Sequence, residues 1–191
     1  IKRSDSALES ILAQFVSPGY YGKSNITPID DDILALYEST GSASVFPRKM
    51  SYSVNLGDNK TLALNNVQHS EWQREAGQLS YSLAEPIVNS DMSDDAKADA
   101  LAKAYSFAEA YTAQELFGKE LSSSHAKELD AYEEGGVEML ARWYYLKSMS
   151  DGSPSQKETT YALDSMSDLT RDERKFLYYL TNSAWKSGKY D

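Results

Sequence analysis

No cysteine occurs in the 191-residue chain. Disulfides, Cys-ligated zinc and cysteine nucleophiles are thereby excluded. Histidine is scarce: His69 and His125 are the only two, and they lack the i, i+4 spacing of a zinc-binding helix. Basic charge is short as well. Nineteen Lys and Arg face 29 Asp and Glu, leaving a formal charge of −10 and a pI near 4.7. Such a chain repels nucleic acid and anionic membrane surfaces unless a local basic patch overrides the field. The densest basic stretch, Arg171, Arg174 and Lys175, is interleaved with Asp172 and Glu173 and reads as a solvated helix face. No apolar run approaches the ~18 residues of a membrane span. The opening IKRSDSALES has charge but none of the apolar core of a secretory signal. No nucleic-acid or membrane partner is therefore expected. Gly-rich phosphate loops and a Gly-x-Ser-x-Gly nucleophile elbow are absent too. The first residue is Ile1 rather than Met, which reads as a C-terminal fragment of a longer protein.

What is present is ordinary for a globular chain: 41% hydrophobic and 25% charged residues, enough for one domain spanning 1–191. Most apolar residues recur with helical period. Leu8, Ile11, Leu12 and Phe15 share a face over 5–16, capped by Ser4 or Asp5. SPGYYGKSNITP reads as a loop. Thr27, Pro28 and Asp30 to Asp32 then mark a helix start, with Ile33, Leu36 and Tyr37 inward. The period changes once: Tyr52, Val54 and Leu56 alternate with polar residues, GDN turns, and Thr61, Leu62 and Leu64 follow. This predicts one small hairpin at about 51–64. Helices are predicted from Asn66 to about Val88 and over 94–117, the latter with two apolar stripes. They continue over 122–136, ended by paired glycines, and over 137–149. One more spans QKETTYALDSM, and a last one runs from the Thr170 cap to about Trp185, leaving SGKYD as a frayed tail. The expected fold is mainly α, an irregular bundle of seven or eight helices with one hairpin. Its expected core includes Ile11, Leu36, Trp72, Leu83, Leu101, Tyr105, Leu140, Tyr144, Leu177 and Leu180.

Three patterns bear on chemistry. Over 147–158, Gly152 and Glu158 have the spacing of positions six and twelve of an EF-hand loop, with Asp151 at five and Ser153 at seven. Yet Lys147 and Met149 stand at positions one and three, where a hard dication needs oxygen, so the loop reads as a helix corner with no metal. A calcium-responsive module is the alternative it leaves, with Asp151 and Glu158 as first ligands to test. The acids Asp30-Asp31-Asp32 and Glu133-Glu134 read as dipole compensation and solvated faces rather than a glycosidase pair. A cell-wall glycosidase is the second alternative. His69, three residues before Trp72, and His125, three before Glu128, read as surface histidines on helices. No catalytic, cofactor-binding or metal residue is assigned, and the chain reads as a non-enzyme.

Fourteen tyrosines are present, and three pairs recur: Tyr20-Tyr21, Tyr144-Tyr145 and Tyr178-Tyr179. Adjacent helix positions lie about 100° apart, so one ring of a helical pair turns inward and the other lies at the rim. The rim rings suit docking to another protein. The Tyr20-Tyr21 loop and the last two helices are the expected surface, through Tyr21, Tyr145 and Tyr179.

The order of these blocks resembles a known family. SPGYYG, PIDDDILALYESTG, VFP and a short hairpin are followed by WQREAGQLSYSLAEPIVNSDMSDDAKADALAKAYSFAEAY. The ending is ALDSMSDLTRDERKFLYYLTNSAW. Over most of 17–187 the chain is similar to the helical domains associated with large polyvalent bacteriophage and prophage proteins, and to C-terminal regions of phage structural proteins. The shared motifs are caps and packing positions. The resemblance implies a structural or interaction module. Its partners would be other phage structural proteins or the remaining domains of the parent chain. Its place would be the virion, or the bacterial cytoplasm during phage assembly. It brings no catalytic residues and no cofactor.

Overall fold

A computed structural model describes residues 10–11, 13–14, 28–48, 51–186 and 188–191. Among them are six α-helices and one two-stranded antiparallel hairpin, so the fold is mainly α as the periodicity predicts. The helices are α1 (Pro28–Thr40), α2 (Asn66–Val88), α3 (Asp94–Phe117), α4 (Ala126–Lys147), α5 (Gln156–Asp164) and α6 (Arg171–Thr181). The strands are β1 (Ser53–Gly57) and β2 (Lys60–Ala63). Residues 10, 11, 13 and 14 are helical, inside the first predicted helix. The cap at Ser4 or Asp5 and the Tyr20-Tyr21 loop lie outside the described residues. No helix among the described residues is long and apolar enough to cross a membrane. The chain divides into two compact units, Ile1–Leu129 and Asp130–Asp191.

In the first unit α3 is the central element. It packs against α1, α2, β1 and the short 3-10 turn Ala43–Val45. Ser93 caps its first turn by accepting from the Ala96 amide, and Gly118 closes it in the left-handed conformation. Leu101, Ala104, Tyr105, Ala108 and Thr112 are all buried, as the first stripe predicts. Ala98, Ala100, Phe107, Ala110 and Ala113 are buried as well, so α3 is covered on nearly every side. Methyl-sized side chains are what allow neighbouring backbones that close. On α2 the facing residues are small too: Ala76, Gly77, Ser80 and Ala84 are buried between the larger Trp72, Leu83 and Ile87. Asn65 and Gln68 form a reciprocal capping box at its start, and the helix runs through Pro86 to Val88 without a break.

The hairpin turns at Asp58 and Asn59, whose φ values of 52° and 61° make the paired left-handed conformation that suits a two-residue connection. Val54 pairs with Leu62 and Asn55 with Thr61. Val54 and Leu56 point into a cluster with Leu64, Trp72, Ala76 and Ala113. Tyr52, which alternates with them in the sequence, is 53% exposed. Its ring stacks on His69 at 4.1 Å between centroids, so the strand start at Ser53 leaves it on the rim.

In the second unit α4 is interrupted at the predicted glycine pair. Gly135 and Gly136 leave helical geometry, with Gly136 at φ 71° and ψ −154°. Beyond the break Met139, Leu140, Ala141, Trp143, Tyr144 and Leu146 are buried. Both short helices open with capping boxes, Ser155 with Glu158 and Thr170 with Glu173. Helix α6 ends earlier than expected. Asn182 is extended and its side-chain oxygen accepts from the Ala184 amide, so a turn replaces the last predicted helical turn before Trp185. Ile11 and Leu180, both expected in the core, are only half-buried. The other eight predicted core residues are buried.

Leu101 is fully buried at the centre of α3. Leu101→Ala should destabilise the protein by about 2–5 kcal/mol through lost transfer energy and a residual cavity. Exposed Val67, 77% accessible, is the control: Val67→Ala should leave the Tm nearly unchanged in the same thermal melt.

Candidate functional site

The 147–158 segment makes a tight turn between α4 and α5. Ser150, Asp151 and Gly152 all have positive φ, at 47°, 53° and 93°. The side chain that fills the turn is Lys147, whose ammonium donates to the Gly152 carbonyl and lies 5.4 Å from the Trp143 ring centroid. A protein cation is thus tied to the carbonyl of Gly152, the position at which an EF-hand loop makes its sharp turn. Glu158 is committed elsewhere. Its carboxylate accepts from the Ser155 amide at 3.0 Å and from the Ser150 hydroxyl at 2.7 Å. These hydrogen bonds, the backbone one first, hold its pKa below the usual carboxylate value. Among the described residues no three His, Asp or Glu side chains gather in a metal-binding group.

The histidines are less exposed than a surface reading expects. The His125 imidazole is 12% exposed, sits 3.0 Å from the Glu128 carboxylate and meets the Phe107 ring edge-on at 6.2 Å. His125 belongs to the 3-10 turn Ser123–His125 that precedes α4. His69 is on α2, sandwiched between the Tyr52 stack and the tilted Trp72 ring at 6.2 Å. The i, i+3 spacing noted in the sequence is thus used by both for local packing.

Among the carboxylates, Asp31 and Asp32 are exposed and in the first turns of α1, whereas Asp30 is buried. Glu133 and Glu134 are exposed. The carboxylate that sequence reading passed over is Glu109, 5% exposed inside α3. Arg48, 61 residues earlier, donates to it at 3.0 Å. Burial pushes its pKa up, and the Arg48 charge and hydrogen bond work against that. The Glu109 backbone carbonyl also accepts from the Trp72 indole at 3.0 Å. A lone acid between alanines on a buried helix is the only sequence signal for this site. Its partner has no spacing rule, because it arrives through tertiary folding.

The two helical tyrosine pairs behave as the 100° offset predicts. Tyr144 and Tyr178 are buried, while Tyr145 and Tyr179 are half-buried at the rim. Tyr178 is the hub of an aromatic cluster. Trp185, Tyr179 and Tyr190 surround it at centroid distances of 4.8, 5.0 and 5.7 Å. The expected frayed tail is instead docked. Tyr190 is 5% exposed, and its phenol donates to Asp164 at 2.8 Å. Lys189 donates to the same carboxylate. Asp191 accepts from the Tyr179 phenol and from the Gly188 amide, and its backbone carbonyl accepts from Arg171 at 2.8 Å. The segment approaches so closely that a methyl at Gly188 would collide with the Tyr178 ring. Beside it lies an open cleft of about 600 Å³, between Gln156, Thr160, Tyr161 and Asp164 of α5, Tyr178 of α6 and Lys189.

These ties shift the titrations. Lys189 chiefly, with Tyr190, holds the Asp164 carboxyl below its usual pKa, and the Tyr179 phenol does the same for Asp191. Hydrogen bonding to Asp191 pushes the Tyr179 phenol up to about 12. Burial, then Asp164, raises Tyr190 further. Compared with family models, curated proteins and solved structures, the chain matches none of them.

Three outcomes follow from this geometry. Calcium titration by calorimetry should give no saturable heat at micromolar concentration. Lys147→Met should lower stability by about 1–3 kcal/mol, the worth of a charged hydrogen bond. For the docked tail, both carboxyls have depressed folded-state pKa values. Their contribution is therefore complete above the unfolded value near 4 and is lost as pH falls through the folded values. Once the intrinsic acid slowing of exchange is corrected for, amide protection factors at 188–191 should fall below about pH 4, ahead of those in α3.

Proposed function

We propose that this chain is a non-enzymatic assembly or interaction domain of a large phage or prophage virion-associated protein. The observation that carries the reading is the rim placement of Tyr145 and Tyr179 beside buried ring partners. Such rings offer rigid contact area at small entropy cost, with the Tyr179 phenol itself held by Asp191. The carboxylates of altered titration support it. Glu158 and Glu173 cap helices, Asp164 and Asp191 tie down the tail, and Glu109 holds Arg48. Each is employed in holding the fold. The phage setting rests on the block order SPGYYG to TNSAW described above, and the partners it implies are other phage structural proteins or further domains of the parent chain.

Recovery of phage structural proteins by the intact domain tests this. A folded Tyr21, Tyr145 and Tyr179 triple Ala variant should recover several-fold less partner in pull-down or crosslinking, and equal recovery would remove this surface. Random duplex DNA should show no band shift at about 0.15 M salt, where screening weakens any small basic patch.

A further inference from the structure

The cleft of the second unit has a composition that the docking reading does not use. Tyr161 stands on its lip with 77% of its surface exposed, the most exposed aromatic residue among the large hydrophobics of the described chain. Inside, Asp164 and Lys189 form an ion pair, and Thr160 lies one helical turn before Asp164. The pair keeps hydrogen-bonding capacity. An ionised carboxylate has about four lone-pair sites, and Asp164 spends two, on Lys189 and Tyr190. An ammonium has three donors, and Lys189 is seen to use one here, on Asp164. The Thr160 hydroxyl donates to the Gln156 carbonyl at 2.7 Å and retains its own acceptor sites.

Donor and acceptor therefore sit side by side, next to an uncovered aromatic face. A vicinal diol matches that arrangement, since one hydroxyl can donate to the carboxylate while its neighbour accepts from the ammonium. The C–H face of a pyranose ring, electropositive and apolar, matches the electron-rich face of Tyr161. Mixed charge argues against ionic ligands. An acidic peptide meets Asp164, and a basic one meets Lys189 and the exposed Lys157 on the same wall. The volume of about 600 Å³ falls within the usual size of small-molecule sites. We infer that this cleft binds an uncharged saccharide, stacked on Tyr161 and hydrogen-bonded across the Asp164–Lys189 pair. The inference is independent of the protein-docking reading, which uses other tyrosines.

The test is a titration of the isotope-labelled full chain with cellotriose, maltotriose and N-acetylated chitotriose, all uncharged, at millimolar concentration, followed by amide chemical shifts. At least one sugar should shift amides at 156–164 and 188–190 in a saturable way. Tyr161→Ala should weaken that binding at least tenfold with an unchanged far-UV spectrum, because the ring is exposed and its removal leaves the core intact. Tyr161→Phe, which keeps the ring, should retain most of it. No saturable shift with any of the three sugars would overturn the proposal. So would binding undiminished by Tyr161→Ala, or a response at these amides to an acidic peptide and to none of the sugars.

Discussion

The first unit depends on one constraint: α3 has to be buried on nearly every side. A helix exposed to water needs only one apolar stripe, but one enclosed by four neighbouring elements needs small side chains wherever a backbone comes close. Ala98, Ala100, Ala104, Ala108, Ala110 and Ala113 meet that need. Specific anchors then set the neighbours' positions. The Tyr105 phenol donates to the Val45 carbonyl at 2.6 Å, fixing the 3-10 turn, and the Trp72 indole reaches the Glu109 carbonyl from α2. Both bonds satisfy polar atoms that would otherwise be costly in so dry a place. Glu109 is the exception that has to be offset by a charge, and Arg48 is the charge.

The second unit meets a different problem. With about 60 residues it has little interior to draw on. It makes up for this with local closures at chain ends: two capping boxes, the Lys147 ammonium across a tight turn, and the final segment drawn back onto Tyr178. Arg174 adds another, donating to the Leu163 and Met166 carbonyls where α5 ends. Both carbonyls also accept backbone amides, from Met166 and Leu169, so Arg174 braces a turn that the main chain has already closed. Hydrogen-bonded closures of this kind lie near solvent, which is why the same residues present polar groups to the cleft.

Legibility from the amino-acid order tracked the range of the interaction. Caps act over three residues, and Thr170 was readable with its helix's first residues. Periodicity acts over a few turns, and it placed Leu101, Tyr105, Leu140 and Leu177 inside. What local patterns could not show were contacts made by distant segments. Arg48 and Glu109 are far apart in sequence, as are Tyr190 and Asp164. SGKYD is polar and short, so it reads as loose, although Tyr190 carries enough apolar area to hold it once the Tyr178 ring is in place. Helix α6 overran its true end in the reading for a related reason: NSAW has no strong breaker, and only the Asn182 turn stops it. The cleft combines these cases, since its lip is exposed α5 and one wall is the docked tail.

The break in α4 has a stereochemical consequence. Gly136 sits at φ 71°, ψ −154°, a region that L-residues avoid. Inverting both signs gives −71° and +154°, close to the polyproline II basin of an ordinary L-residue. The bend is thus a mirror-image polyproline step set into a right-handed helix, and the chain can take it only where it carries no chirality of its own. An L-alanine there would find open space around its methyl and still be strained by its backbone. A D-alanine introduced by chemical synthesis would occupy its own preferred basin and would narrow the unfolded ensemble as well. At this one position the handedness of the residue, rather than its size or polarity, decides whether the two halves of α4 keep their angle.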